Sequence, residues 1–160
     1  MRIFAISCSM CSTADQTRDD GYVLSFDPDR LDVAMIWMQL RDEYWSPKIR
    51  RDIVEKAIAG SVVAGVYLKP GEQVGYTRVV TDKACFAWVC DIFVLEAHRG
   101  KGLAKWMVRS MHEHPEHLTI RKWVLGTRSA HEVYRACGYS GLAKPEMWME
   151  RVLPPESWQE

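Results

Sequence analysis

Cys85-Phe86-Ala87-Trp88-Val89-Cys90-Asp91-Ile92-Phe93-Val94-Leu95 runs through Glu96-Ala97-His98 into Arg99-Gly100-Lys101-Gly102-Leu103-Ala104-Lys105-Trp106-Met107, and this join decides how the chain folds. The first stretch is almost continuously apolar and rich in aromatic and β-branched residues, as a strand covered on both faces requires. Beyond the glycines, Leu103, Trp106, Met107, Ser110 and Met111 recur at helical spacing and predict an amphipathic helix over 102–113. His114-Pro115 ends it, and Thr119–Leu125 reads as a further strand. Strand, helix, strand is a βαβ unit, expected to cross over right-handed.

Working outward, Ser61–Leu68 and Gln73–Thr81 flank the turn Lys69-Pro70-Gly71-Glu72 and should form an antiparallel meander with 85–95. Tyr22–Phe26 is a short strand candidate. Leu31, Ala34, Met35 and Met38 predict a helix from about Asp29 to Leu40. Ser46-Pro47 suits the start of a second helix, with Ile49, Ile53, Ala57 and Ile58 on one face and Gly60 as its stop. Downstream, Ser129-Ala130-His131-Glu132 has the form of a capping box ahead of Val133, Tyr134 and Cys137, with Gly138 as the stop. Pro145–Val152 is expected as a final strand. The pattern predicts an α+β fold with a mixed, mostly antiparallel sheet and four helices. Residues 1–20 read as an irregular segment, 21–153 as one domain and 154–160 as a tail.

The chain has 160 residues, with 21 Lys and Arg balancing 21 Asp and Glu. Zero formal net charge argues against a broad nucleic-acid face, which shows as a basic excess. No apolar run is long enough to span a bilayer, and the apolar start is too short for a signal peptide, so a cytoplasmic protein is expected. Five scattered cysteines, an odd number, fit a reducing compartment. Cys8-Ser9-Met10-Cys11 lacks the second pair that a zinc site needs. His112, His114 and His117, with Glu113 and Glu116, read as a solvated helix end, so no metal is expected.

Glycines at 100 and 102 let backbone N–H groups approach a ligand without a Cβ in the way. The helix start behind them offers unpaired donors and a positive dipole end, which favours phosphate. Arg99 and Lys101 add cations. A nucleotide P-loop needs a Lys-Ser/Thr pair after its last glycine, and here Lys101 lies between the glycines. A dinucleotide fingerprint needs a third glycine, and position 105 is Lys. By itself the turn is equally a plain strand-to-helix connection.

The stretch Asp91–Ala104 resembles the acyl-CoA motif of the GNAT superfamily of N-acetyltransferases, with Arg99, Gly102 and Ala104 matching [Q/R]-x-x-G-x-[G/A]. Ala130-His131-Glu132-Val133-Tyr134-Arg135-Ala136-Cys137-Gly138-Tyr139 is similar to that family's A-x-x-[LF]-Y-x-x-x-G-[FY], and the likeness extends from about Leu31 to Met149. It resembles small, bacterial-type members most. The resemblance implies acetyl-CoA as co-substrate and a sheet splayed between its fourth and fifth strands. It implies pantetheine pairing with the backbone at Phe93 and Val94, pyrophosphate on the N–H groups of Gly100, Lys101, Gly102, Leu103 and Ala104, and a cofactor role for His131. It also implies that Tyr134 protonates the departing sulfur, whereas its helical spacing with Ala130 and Val133 by itself favours a core aromatic.

An attacking amine must first lose a proton. Asp91, in an apolar strand beside that thioester site, is one candidate base, since burial raises a carboxyl pKa. It is equally a structural acid paired with Arg78 or Arg128. Glu43 is the second candidate. Tyr44 and Trp45 occupy the connection that covers the acceptor groove in similar proteins, and with Glu43 and Arg128 they are expected to touch substrate or, in the aromatics' case, to staple two helices. Cys90 and Cys137 have no adjacent His and apolar neighbours, so direct transfer in a ternary complex is expected over an acyl-enzyme. The expected acceptor is a small-molecule primary amine, with neither nucleic acid nor membrane as partner, for a monomer or homodimer. The rival reading is a non-catalytic acyl-CoA-binding module.

Overall fold

A computed structural model describes residues 14–69 and 71–160. At its centre is a six-stranded sheet in sequential order: β1 (Gln16–Thr17), β2 (Val23–Ser25), β3 (Val62–Lys69), β4 (Glu72–Thr81), β5 (Phe86–Val94) and β6 (Lys122–Val124). Every neighbouring pair is antiparallel except β5 and β6, which the βαβ connection makes parallel. Among the described residues the α-helices are α1 (Val33–Leu40), α2 (Arg51–Ala59), α3 (Leu103–Glu113) and α4 (His131–Arg135). The α+β class and mixed, mostly antiparallel sheet are as the sequence predicts.

Period-two alternation sends side chains to two cores. Ala64, Val66, Val74, Val79 and Val89 meet Leu103, Met107 and Met111 of α3. Val63, Tyr76 and Phe93 meet Ile36 and Leu40 of α1 and Val54 of α2. Each helix contributes one apolar stripe, which is how a surface helix holds to a sheet. Both faces of β4 and β5 are therefore covered, which explains their long apolar runs.

Two irregularities in β5 create the site. Pairing with β6 covers only Phe86↔Lys122, Ala87↔Trp123 and Trp88↔Val124, after which the two strands part. This is the expected splay. With the two-residue β1 included in the count, it falls between the fifth and sixth strands. The second irregularity is a bulge. Tyr76 faces Phe93 and Arg78 faces Cys90, so Thr77 alone stands opposite Asp91 and Ile92. Asp91 takes a left-handed backbone, φ 51°, a conformation that Asp and Asn tolerate better than most residues. Ala87 and Val89 pack toward α3 before the bulge, and Ile92 and Val94 do so after it. The extra residue changes the phase of the strand, as a bulge must.

Several local expectations need correction. Pro145–Val152 is no strand: Pro145–Met147 is a 3-10 turn. β6 is only three residues long, Pro145 has no N–H to give a ladder, and Lys122 Nζ sits 4.5 Å over the Trp148 ring. Ser46 does not cap α2. It is buried, its hydroxyl donates 2.7 Å to the Leu40 carbonyl, and α2 starts at Arg51. α1 starts at Val33 behind Asp32, whose carboxylate accepts from Met35 N, while Pro28–Arg30 is a separate 3-10 turn. The capping box at α4 is absent: Ala130 occupies the cap position, and Glu132 pairs with Arg135 at 2.5 Å. β1 lies inside the segment 1–20 that reads as irregular, and Cys8 and Cys11 lie outside the described residues. His114 and His117 are buried rather than solvated, His117 to 1% exposure. The final residues join α2's entry through Arg50 N to Trp158 O (3.1 Å) and Glu160 N to Lys48 O (2.9 Å).

Candidate active site

Leu95 leaves β5, a 3-10 turn carries Glu96–His98, and Arg99–Gly102 deliver the chain to α3. Gly100 and Gly102 have φ of 76° and 74°, a backbone that a side chain would strain. No neighbouring atom lies within 4 Å of where a Cβ would stand at either, so the conformation itself is what demands glycine. Val94, His98, Arg99, Gly100, Gly102, Leu103, Ala104, Lys105 and Val133 surround a cavity of about 400 Å³. It joins the splayed strand, the N-terminus of α3 and the first turn of α4. Arg99 and Lys105 supply positive charge at a helix start, a donor set that suits a pyrophosphate. Lys101 points elsewhere, its Nζ 3.0 Å from the Tyr22 hydroxyl, which in turn meets His98 Nδ1 at 2.8 Å. Leu103 is core, as is Phe93, so each has only its backbone to offer. The Val94 carbonyl accepts from Arg99 Nε at 3.0 Å. His131 is exposed at the first residue of α4.

Tyr134 follows Val133 on α4. Burial pushes its phenol up to about 12, with Tyr44, Cys137 and Cys90 adding smaller contributions of the same sign. Such a phenol stays protonated at neutral pH. Cys90, across the splay on β5, is pushed up to about 11 by burial, which keeps its thiol protonated and unsuited to nucleophilic attack.

A continuous polar and aromatic chain runs from α4's entry to the bulge. The Tyr44 hydroxyl accepts from Arg128 N at 2.8 Å, and the Arg128 guanidinium lies 4.2 Å over the Tyr44 ring. Tyr44 meets Trp45 edge to face at 4.9 Å. Trp45 Nε1 donates to Asp91 Oδ1 at 3.2 Å. Asp91 Oδ2 is paired with Arg78 Nε, and Arg78 Nη1 reaches Ser61 Oγ at 3.2 Å. Three of the four residues expected at the acceptor, Tyr44, Trp45 and Arg128, thus converge with Asp91. Glu43 does not: its carboxylate accepts from Gln39 Nε2 at 3.2 Å on the α1–α2 connection. Asp91 is the paired acid of the sequence alternatives, with Arg78 as its partner and both oxygens engaged.

Beneath Trp45 a second cavity of about 250 Å³ is lined by Leu40, Ile49, Ile53, Val54, Ala57 and Trp158, with Tyr76, Arg78 and Asp91 on the sheet side. Sequence reading missed Tyr76 and Trp158 as site residues. Tyr76 sits in a strand whose apolar pattern hides it, and Trp158 lies in the apparent tail. His98 and Lys105 were equally legible beside the glycines and went unused.

Comparison with known proteins agrees with this geometry. A family model for the GNAT acetyltransferase domain matches residues 59–140, just over half of the chain. A GNAT-family protein from Xanthomonas campestris, solved as a crystal structure, is 34% identical with a TM-score of 0.79, over 83% of this chain and 94% of that one. A protein from Clostridium acetobutylicum described as a predicted acetyltransferase, solved with acetyl-CoA, shares the fold at TM-score 0.62 and 16% identity, over 87% of this chain and 98% of that one. A Gibberella zeae protein provisionally named an acetyltransferase is 29% identical over 116 residues, 61% of this chain; the match spans 65% of that relative's length. Fold and family model together define an acetyltransferase domain. The chain belongs to the GNAT acetyltransferase family.

Proposed function

We propose that the protein transfers acetyl from acetyl-CoA to a primary amine of a small molecule, by direct attack in a ternary complex. The observation that carries this reading is the juxtaposition of the left-handed glycine turn, the splayed end of β5 and the first turn of α4, the helix that bears Tyr134, around one cavity. The co-substrate's presence in the Clostridium acetobutylicum structure supports acetyl-CoA as donor.

In this reading the N–H groups of Gly100–Ala104, with Arg99 and Lys105, hold the pyrophosphate. Pantetheine lies along β5 where β6 has turned away, its amide taking the place of Arg99 Nε at the Val94 carbonyl, and His131 flanks it. Bound acetyl-CoA supplies an electrophilic thioester carbon and a thiolate leaving group. The amine nitrogen bonds to that carbon as the carbon–sulfur bond breaks. The amine's proton passes to water, and the thiolate takes one from Tyr134, which solvent restores. Asp91 acts as a positioning residue, its carboxylate fixing Arg78 and Trp45 beside the reacting carbon. Tyr44, Trp45 and Arg128 border the acceptor.

The test is release of CoA thiol from acetyl-CoA by purified protein across a panel of primary amines. Amine-dependent release with a matching acetylated product is expected. Tight acetyl-CoA binding with no amine-dependent release under any amine would replace the enzyme with a binding module.

A further inference from the structure

The cavity beneath Trp45 has a particular chemistry. Its side walls are Leu40, Ile49, Ile53, Val54 and Ala57, closed by the Trp45 and Trp158 rings. Ionised groups enter only as Arg78 and Asp91, and these neutralise each other. Their side chains are 18% and 13% exposed, and the guanidinium's further reach goes to Ser61. No uncommitted charge among the lining residues is left to recognise a phosphate, a carboxylate or a second ammonium. Ser46 is committed to the Leu40 carbonyl. Tyr76 backs the wall from the sheet, its hydroxyl fully buried and without a hydrogen-bond partner.

The volume sets the size. About 250 Å³ is room for roughly eight waters at about 30 Å³ each, or for one organic body of similar heavy-atom count. A predominantly apolar lining is the ordinary composition of a small-molecule pocket. The cavity also adjoins the reaction centre, because Trp45 and Asp91 belong to both.

We infer that the acceptor is a primary amine on an apolar body, aromatic or branched aliphatic, and that this body fills the cavity between Trp45 and Trp158. This rests on the acetyl-transfer reading above for the reaction, but the binding site stands on the cavity alone. Trp158, held by the pairing of Ile49 with Gln159, is then a specificity-determining wall supplied by the last residues of the chain. Polyamines and aminoglycosides, which would bring several ammonium groups into a site with no free anion, are excluded.

The test compares tryptamine and isopentylamine with spermidine and kanamycin. Binding is read by saturation-transfer NMR and turnover by thiol release, using the full chain and the variants Trp158→Ala and Ala57→Phe. The apolar amines should bind, and their kcat/KM should exceed those of the polycations by at least about tenfold. Trp158→Ala should raise KM for tryptamine about tenfold. Ala57→Phe, which fills the cavity without removing a core contact, should abolish amine binding while acetyl-CoA affinity and melting temperature hold. Tryptamine that binds wild type but not Ala57→Phe, with no acetylation of any amine, upholds the pocket and defeats the acetyl-transfer reading. Faster acetylation of spermidine or kanamycin, or apolar amines indifferent to Ala57→Phe, overturns the inference while leaving acetyl transfer intact.

Discussion

Asp91→Asn separates the charge of the bulge residue from its shape. Asn accepts the same left-handed backbone and keeps a carbonyl oxygen for Trp45 Nε1, now 3.2 Å from Oδ1. It gives Arg78 an amide N–H₂ where Oδ2 had accepted. Removing one partner of a fully buried pair costs about 3–5 kcal/mol. Here the side chains retain 18% and 13% of their exposure and Ser61 still reaches Arg78, so water and one hydrogen bond offset part of that loss. A destabilisation of about 2–3 kcal/mol is expected. Asp91→Ala should cost about 1–2 kcal/mol more, because alanine is strained at φ 51°. Adding Arg78→Met to Asp91→Asn should recover most of the loss, since the orphaned charge is then gone. Urea denaturation followed by circular dichroism reads these values as shifts in midpoint at constant slope. A change in stability below about 0.5 kcal/mol for Asp91→Asn would show that the pair is a surface contact, and the positioning role assigned to Asp91 would fall with it.

Three further outcomes follow from the same geometry. Gly102→Asp places a side chain and a negative charge at a φ of 74° in the glycine turn; calorimetry should detect no acetyl-CoA binding, and an unchanged affinity would remove the phosphate site from this turn. Burial lowers His112, His114 and His117 below the ordinary imidazole value of 6.5. The folded state therefore resists protons that the unfolded chain takes up, so stability is full above about pH 6.5 and declines as pH falls below it, by up to about 1.4 kcal/mol per pH unit for each histidine. A urea midpoint that is the same at about pH 7.5 and about pH 5.5 would contradict that burial. Alkylation of Cys90 by iodoacetamide at about pH 7.5 should be slow, because burial raises its thiol to about 11; rapid loss of activity on labelling, blocked by acetyl-CoA, would return a covalent acyl-enzyme to consideration.

Much of the fold was legible because its signals are local. The apolar run of β5, the glycine turn and the amphipathic stripe of α3 each carry their own period, and together they dictate a βαβ unit. One sequence motif lies on these elements and the other on α4, which is why a phosphate site is proposed at the glycine turn. The bulge could not be read. Asp91 in an apolar strand reads equally as a buried base or as an acid paired with Arg78 or Arg128, and only the ladder shows that Thr77 faces two residues and that Arg78 is the partner beside the carboxylate. Long-range partners have no sequence period. The same is true of Trp158, which reaches the cavity from the far end of the chain, and of Tyr76, whose alternation looks like ordinary core. Ser46 and Ser129 misled for a related reason. Each has the residue type of a cap, but Ser46 found a closer carbonyl at Leu40, and at α4 the N-cap is Ala130.

The central claim is that Tyr134 gives its proton to the departing sulfur, and a steady-state comparison of wild type with Tyr134→Phe tests it most directly. The ring stays, so packing against Tyr139 at 5.9 Å and acetyl-CoA affinity by calorimetry should be unchanged. Turnover with a competent amine should fall at least tenfold, about 1.4 kcal/mol of transition-state stabilisation. An unaltered kcat, with acetyl-CoA bound as tightly as before, would contradict the account.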